Sequence, residues 1–120
     1  MNNLRNLYER NIEKLIAVRE NFPGENLEGP LLMSLESYFR QPRKLIIIGQ
    51  ETNGWACDYK NIDNQLATYR EFNLGEKYDY TPFRNITRKL ERMMSIEPYS
   101  CAWSNLNRYD HNGKAPAGDI

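Results

Sequence analysis

Four aliphatic residues in a row, Leu45-Ile46-Ile47-Ile48, run directly into Gly49-Gln50-Glu51-Thr52-Asn53-Gly54-Trp55. No other segment constrains the fold as strongly. Three consecutive isoleucines disfavour a surface helix and suit a strand buried on both faces of a parallel sheet. The run is far too short to span a membrane. Lys44–Trp55 therefore reads as a buried β-strand that opens into a polar turn at the head of an α/β domain.

The neighbouring segments fit that frame. Leu4, Leu7, Tyr8, Ile12, Leu15 and Ile16 fall at helical spacing, and Phe22-Pro23-Gly24 ends the helix. Residues 23–30 read as loop. A second helix is expected over Leu31–Phe39, with Leu32, Leu35, Tyr38 and Phe39 inward and Pro42 closing it. Ile62–Phe72 has a weak helical pattern. Phe83, Ile86, Leu90, Met93 and Met94 share one face of a further helix, taken as its inner face. Tyr99–Leu106 is short and apolar and reads as a second parallel strand, and the tail from Asn107 reads as loop. Strand, helices, strand in that order imply a right-handed crossover and a parallel sheet.

The chain of 120 residues is one domain's length. Sixteen basic and sixteen acidic side chains cancel, so net charge provides no general attraction to nucleic acid. The first residues are polar, and Cys57 and Cys101 form no disulfide framework, so a cytoplasmic location and no membrane partner are expected. One histidine and two distant cysteines carry no metal signature. No cofactor is expected. A sheet with two strands leaves edges uncovered. It is completed either by a partner, through self-association at those edges, or by further sequence; the expectation adopted is a domain that stops before its second half.

Ligands of parallel sheets bind beyond the carboxyl ends of the strands, which selects Gln50–Trp55 and Asn105–Arg108. The glycines of the first turn let backbone approach a ligand closely, and its amides can hold a phosphate or a carbonyl oxygen. Glu51 has the chemistry of a general base or water-orienting group. The same turn equally serves to cap the next helix. Asn105 offers a donor and an acceptor that match a nucleobase edge, or else satisfies loop backbone. Phe83, after Pro82, is a stacking surface or a core aromatic. Arg84, Arg88, Lys89 and Arg92 form a solvated face or a phosphate-facing rim. His111 reads as a solvated turn residue, and Cys57 has no histidine partner in sequence.

Gly49-Gln50-Glu51, Pro82-Phe83 with Ile86 and Leu90, and Trp103-Ser104-Asn105-Leu106-Asn107-Arg108 with Pro116 resemble, in order, three motifs of the uracil-DNA glycosylase superfamily. The resemblance covers roughly residues 44–116. It implies a three-layer α/β/α fold with a parallel sheet, represented here by its N-terminal part. It implies that Gln50 and Glu51 hold the attacking water, and that Gly49, Asn53, Phe83 and Asn105 bind a flipped base. The implied activity is hydrolysis of the N-glycosidic bond of uracil or a related base in DNA, with DNA or a nucleobase as partner. The alternative is a non-catalytic nucleotide-, nucleic-acid- or protein-binding domain of that fold. The cluster cysteines of the iron–sulfur class are missing, and Thr52-Asn53 stands where proline is typical. The family's His-containing loop would lie beyond Ile120, so residues 1–120 alone are expected to lack turnover.

Overall fold

The computed structural model describes residues 2–30, 32–50, 58–73, 81–107, 109–112 and 114. In chain order its elements are α1 (Asn2–Glu20), β1 (Leu27–Glu28), α2 (Glu36–Arg40), β2 (Ile46–Gly49), α3 (Ile62–Asn73), α4 (Pro82–Met93), β3 (Ala102–Asn105) and β4 (Asp110–His111). The protein is an α/β chain whose described strands form two two-stranded sheets. In one, β2 and β3 pair in parallel, with Ile46 opposite Ala102, Ile47 opposite Trp103, Ile48 opposite Ser104 and Gly49 opposite Asn105. In the other, β1 and β4 pair antiparallel. No helix among the described residues is long and apolar enough to cross a membrane.

α1 uses part of its expected stripe, with Leu7 left exposed. Tyr8 is buried with Leu32 and Leu66, and Leu4, Leu15 and Ile62 pack around them, so α1 lies against α3. A second cluster joins Tyr69 of α3 and Trp103 of β3 with Met33 and Ile47. Apolar contact across these two clusters contributes at roughly 25 cal/mol per Å² of area removed from water.

The starts of β2 and β3 are pinned together before either strand begins. The buried Gln41 carboxamide donates to Glu97 Oε2 and accepts from the Glu97 amide, both at 3.0 Å. The Lys44 ammonium donates to the carbonyls of Tyr38, Phe39 and Gln41, filling orphan acceptors at the C-terminus of α2.

Several expectations need correction. The second helix is shorter than Leu31–Phe39 and begins only at Glu36. Leu32 is drawn into the core, and the Met33 carbonyl accepts from the Tyr8 hydroxyl at 3.0 Å, so tertiary contacts hold residues that local propensity would coil. The loops at 23–30 and after Asn107 contain β1 and β4, two residues each, too short to leave an alternating pattern. His111 is not a solvated turn residue: its Nε2 lies 2.7 Å from Glu25 Oε2.

β2 is not buried on both faces. Ile46 and Ile48 are 55% and 64% exposed, because none of the described elements covers their face of the sheet. α4 is turned the other way from its apolar pattern. Its buried residues are Arg84, Thr87, Arg88 and Glu91, whereas Phe83, Ile86 and Met93 are exposed. Thus Arg84 and Arg88 belong neither to a solvated face nor to an outer rim; the backbone of β3 is what draws this polar face inward.

Candidate functional site

The outer edge of β3 explains the orientation of α4. Ala102 N–H donates to the Leu45 carbonyl, so even-numbered amides of β3 face β2 and odd-numbered ones face away. The outward amides of Tyr99, Cys101 and Trp103 each meet a side chain. The Glu91 carboxylate accepts from the Tyr99 amide at 3.1 Å and from the Cys101 amide at 2.9 Å. The Tyr69 hydroxyl accepts from the Trp103 amide at 2.9 Å and donates to the Trp103 carbonyl at 3.2 Å. A buried amide without a partner costs about 1–3 kcal/mol, so turning Glu91 inward is favoured over burying Met93. Arg88 follows as counter-ion. Its Nε lies 2.9 Å from Glu91 Oε1, close enough for an ion pair but misaligned for a hydrogen bond, and its guanidinium lies 4.1 Å from the Tyr99 ring centre.

Burial, with the Glu91 carboxylate beside it, pushes the Cys101 thiol up to about 12. Such a thiol is inert at neutral pH. Burial likewise holds the Tyr69 phenol well above its ordinary range, so it stays protonated in its bridging role.

One face of the parallel pair leads to the predicted site. Side chains two apart on a strand share a face, so Ile47 and Gly49 of β2 align with Trp103 and Asn105 of β3. Tyr69 stacks on Trp103, with ring centres 4.7 Å apart and planes 10° apart. These rings and Ile47 form an apolar floor that ends, at the carboxyl end of the sheet, in Gly49 and Asn105.

There the two predicted residues meet directly. A Cβ at position 49 would lie 2.7 Å from Asn105 Oδ1. A side chain at position 49 would thus displace the Asn105 carboxamide from its place across the strand end. The pairing continues past the strands, with the Leu106 amide donating to the Gly49 carbonyl at 3.0 Å and the Asn107 amide to the Gln50 carbonyl at 2.7 Å. Gln50 is exposed, so its side chain projects from this edge.

Phe83 opens α4 behind an N-cap in which Thr81 Oγ1 accepts from the Arg84 amide, with proline in the first turn. Its ring is 45% exposed rather than packed in the core. The Arg84 guanidinium lies 5.6 Å from the Phe83 ring centre and 4.8 Å from that of Trp103, and so links Phe83 to the floor below Asn105.

The structure therefore brings Gly49, Gln50 and Asn105 together and tethers Phe83 to their face through Arg84. The predicted Glu51 and Asn53 lie outside the described residues, as do Cys57, Arg108 and Pro116. Tyr69 and Glu91, which hold this edge in place, were missed as site-forming residues, and Arg84 was expected on a solvated face or a phosphate-facing rim rather than over the Phe83 and Trp103 rings. Glu91 at three residues from Arg88 was the available signal; Tyr69 lies in a helix with too weak a pattern to mark it. A separate apolar groove of about 460 Å³ runs along α1, lined by Leu4, Leu7, Tyr8, Leu15, Leu32 and Met33. None of the predicted site residues lines it. Among the described residues no group of three or more histidine, cysteine or acidic side chains could hold a metal ion. Comparisons of the chain with family models, with curated proteins and with solved structures found no match.

Proposed function

We propose that this chain recognises a nucleobase at the carboxyl end of β2 and β3, as a glycosylase-like protein acting on uracil or a related base in DNA. The observation that carries the reading is the contact between Asn105 and Gly49. A glycine clears the space in which a carboxamide, with one donor and one acceptor edge, faces the end of a parallel sheet. In this reading Asn105 pairs with the base edge, Phe83 offers its exposed ring for stacking, and the Gly49–Gln50 backbone closes the wall. Enzymes that work on a base must extract it from the stack and hold it by such edge and face contacts. Gln50 and Glu51 would hold the water for hydrolysis.

The test is an NMR titration of the chain with uracil and with single-stranded DNA containing uracil, alongside an assay for base release. Shifts centred on the Gly49 and Asn105 amides are expected. Stacking is worth roughly 1–3 kcal/mol per base, so Phe83→Ala should weaken binding by about 5- to 150-fold. Unchanged binding in Asn105→Ala, or no shifts at millimolar uracil, would refute the reading. Residues 1–120 are expected to bind without releasing the base.

A further inference from the structure

We propose that β2 is a self-association edge, at which two copies of the chain join their β2 strands antiparallel about a two-fold axis through Ile47. The inference stands independently of the nucleobase reading and starts from where peptide groups point. The Leu45 and Gly49 carbonyls accept from Ala102 and Leu106, so odd-numbered residues of β2 face β3. Ile46 and Ile48 consequently direct their N–H and C=O groups away from β3, and those groups meet no hydrogen-bond partner among the described residues.

The opposite edge of the sheet is occupied from Tyr99 to Trp103. Glu91 occupies the Tyr99 and Cys101 amides, and the Tyr69 hydroxyl occupies both backbone groups of Trp103. These contacts disfavour growth of the sheet at β3 and favour it on the β2 side. From Leu45 to Gly49 that side carries neither a charge nor a proline, so its shortness is the only such protection in this segment. Ile46 and Ile48 are more than half exposed beside it.

A second copy is the occupant that fits. The outward groups of Ile46 and Ile48 flank Ile47 symmetrically, so a two-fold axis there sets Ile46 against Ile48 of the second copy and Ile48 against its Ile46. Both pairs exchange N–H and C=O, giving four hydrogen bonds, and Ile47 faces its own counterpart as a non-hydrogen-bonded pair. The exposed isoleucines then become cross-strand neighbours on the uncovered face. The result is one four-stranded sheet, bounded at both ends by β3 edges already occupied through Trp103. A copy added in the parallel sense would have to be offset by an odd number of residues, so its pairing could not be two-fold symmetric. Equal numbers of acidic and basic residues leave no net repulsion between copies. A strand of four residues buries less than the roughly 1,200 Å² of a standard interface, so the dimer is expected to be weak and concentration-dependent.

The experiment is sedimentation velocity of the intact chain from micromolar to millimolar concentration. The weight-average mass should rise from 14.2 kDa towards twice that value. Ile48→Lys, at an exposed position, should remain at one chain mass throughout with an unchanged circular dichroism spectrum. In a mixture of labelled and unlabelled wild-type chain, an intermolecular NOE between the two Ile47 Hα protons is expected, which tests the register even if the lysine variant fails to fold. A monomer at every concentration, a dimer that persists in Ile48→Lys, a dimer without the Ile47 NOE, or open-ended growth would each overturn the proposal.

Discussion

Replacing Tyr69 by phenylalanine removes one oxygen and leaves the stacked ring in place. In the structure that oxygen accepts from the Trp103 amide at 2.9 Å and donates to the Trp103 carbonyl at 3.2 Å, and Tyr69 is 1% exposed. The variant strands one buried donor and one buried acceptor, at about 1–3 kcal/mol each. Losing the hydroxyl's own burial cost offsets part of this, so the net should be about 2–4 kcal/mol. That is a large share of the roughly 6–18 kcal/mol expected for a domain of 120 residues. With a urea slope of about 2 kcal/mol/M, the unfolding midpoint should fall by about 1–2 M. Hydrogen exchange at the Trp103 amide should accelerate more than at Ala102, whose amide bonds to β2. A midpoint shift below about 0.3 M would show that water or a rearranged strand replaces the hydroxyl at no cost, and the occupied-edge argument would fail.

Glu91→Ala should destabilise by about 3–5 kcal/mol, because it leaves a buried guanidinium and two buried amides without their acceptor; Glu91→Gln, which keeps one oxygen, should cost less in the same urea assay. Gly49→Ala should cost about 1–3 kcal/mol by crowding Asn105, and should become neutral or stabilising when Asn105 is also alanine; equal effects in both backgrounds would show that the two residues do not share space. The Cys101 thiol and the Tyr109 phenol are both raised to about 12 in the fold, chiefly by burial, whereas in the unfolded chain they ionise near 9 and 10. Their neutral forms favour the fold fully below about pH 9. That contribution is lost as pH rises towards 12, so thermal stability should decline across this window, and less steeply in Cys101→Ala.

Much of the scaffold was legible because it rests on local rules. The isoleucine run marked β2, Pro82 before Phe83 marked the start of α4, and the order strand, helices, strand pointed to a parallel pair. The juxtaposition of Gly49 with Asn105 follows from that topology, since parallel neighbours of equal length bring their carboxyl ends together. Tyr69 was not legible, because its role depends on Trp103, 34 residues away, and no local pattern reports a partner at that distance.

α4 draws the line between the two kinds of information. Its sequence determined that Phe83, Ile86, Leu90 and Met93 share one face and Arg84, Thr87, Arg88 and Glu91 another, because helical period is a property of the chain alone. Which face turns inward was decided only in three dimensions. The outward amides of β3 had to find acceptors, and Glu91 supplies them, so the charged face is buried and the apolar one exposed. In the same way the sequence determined that β2 is a strand, and only the tertiary structure decided that, among the described residues, nothing pairs with one of its edges or covers Ile46 and Ile48. Hydrophobic pattern reports what a segment can bury, whereas hydrogen-bond supply across the assembled sheet determines which groups are buried.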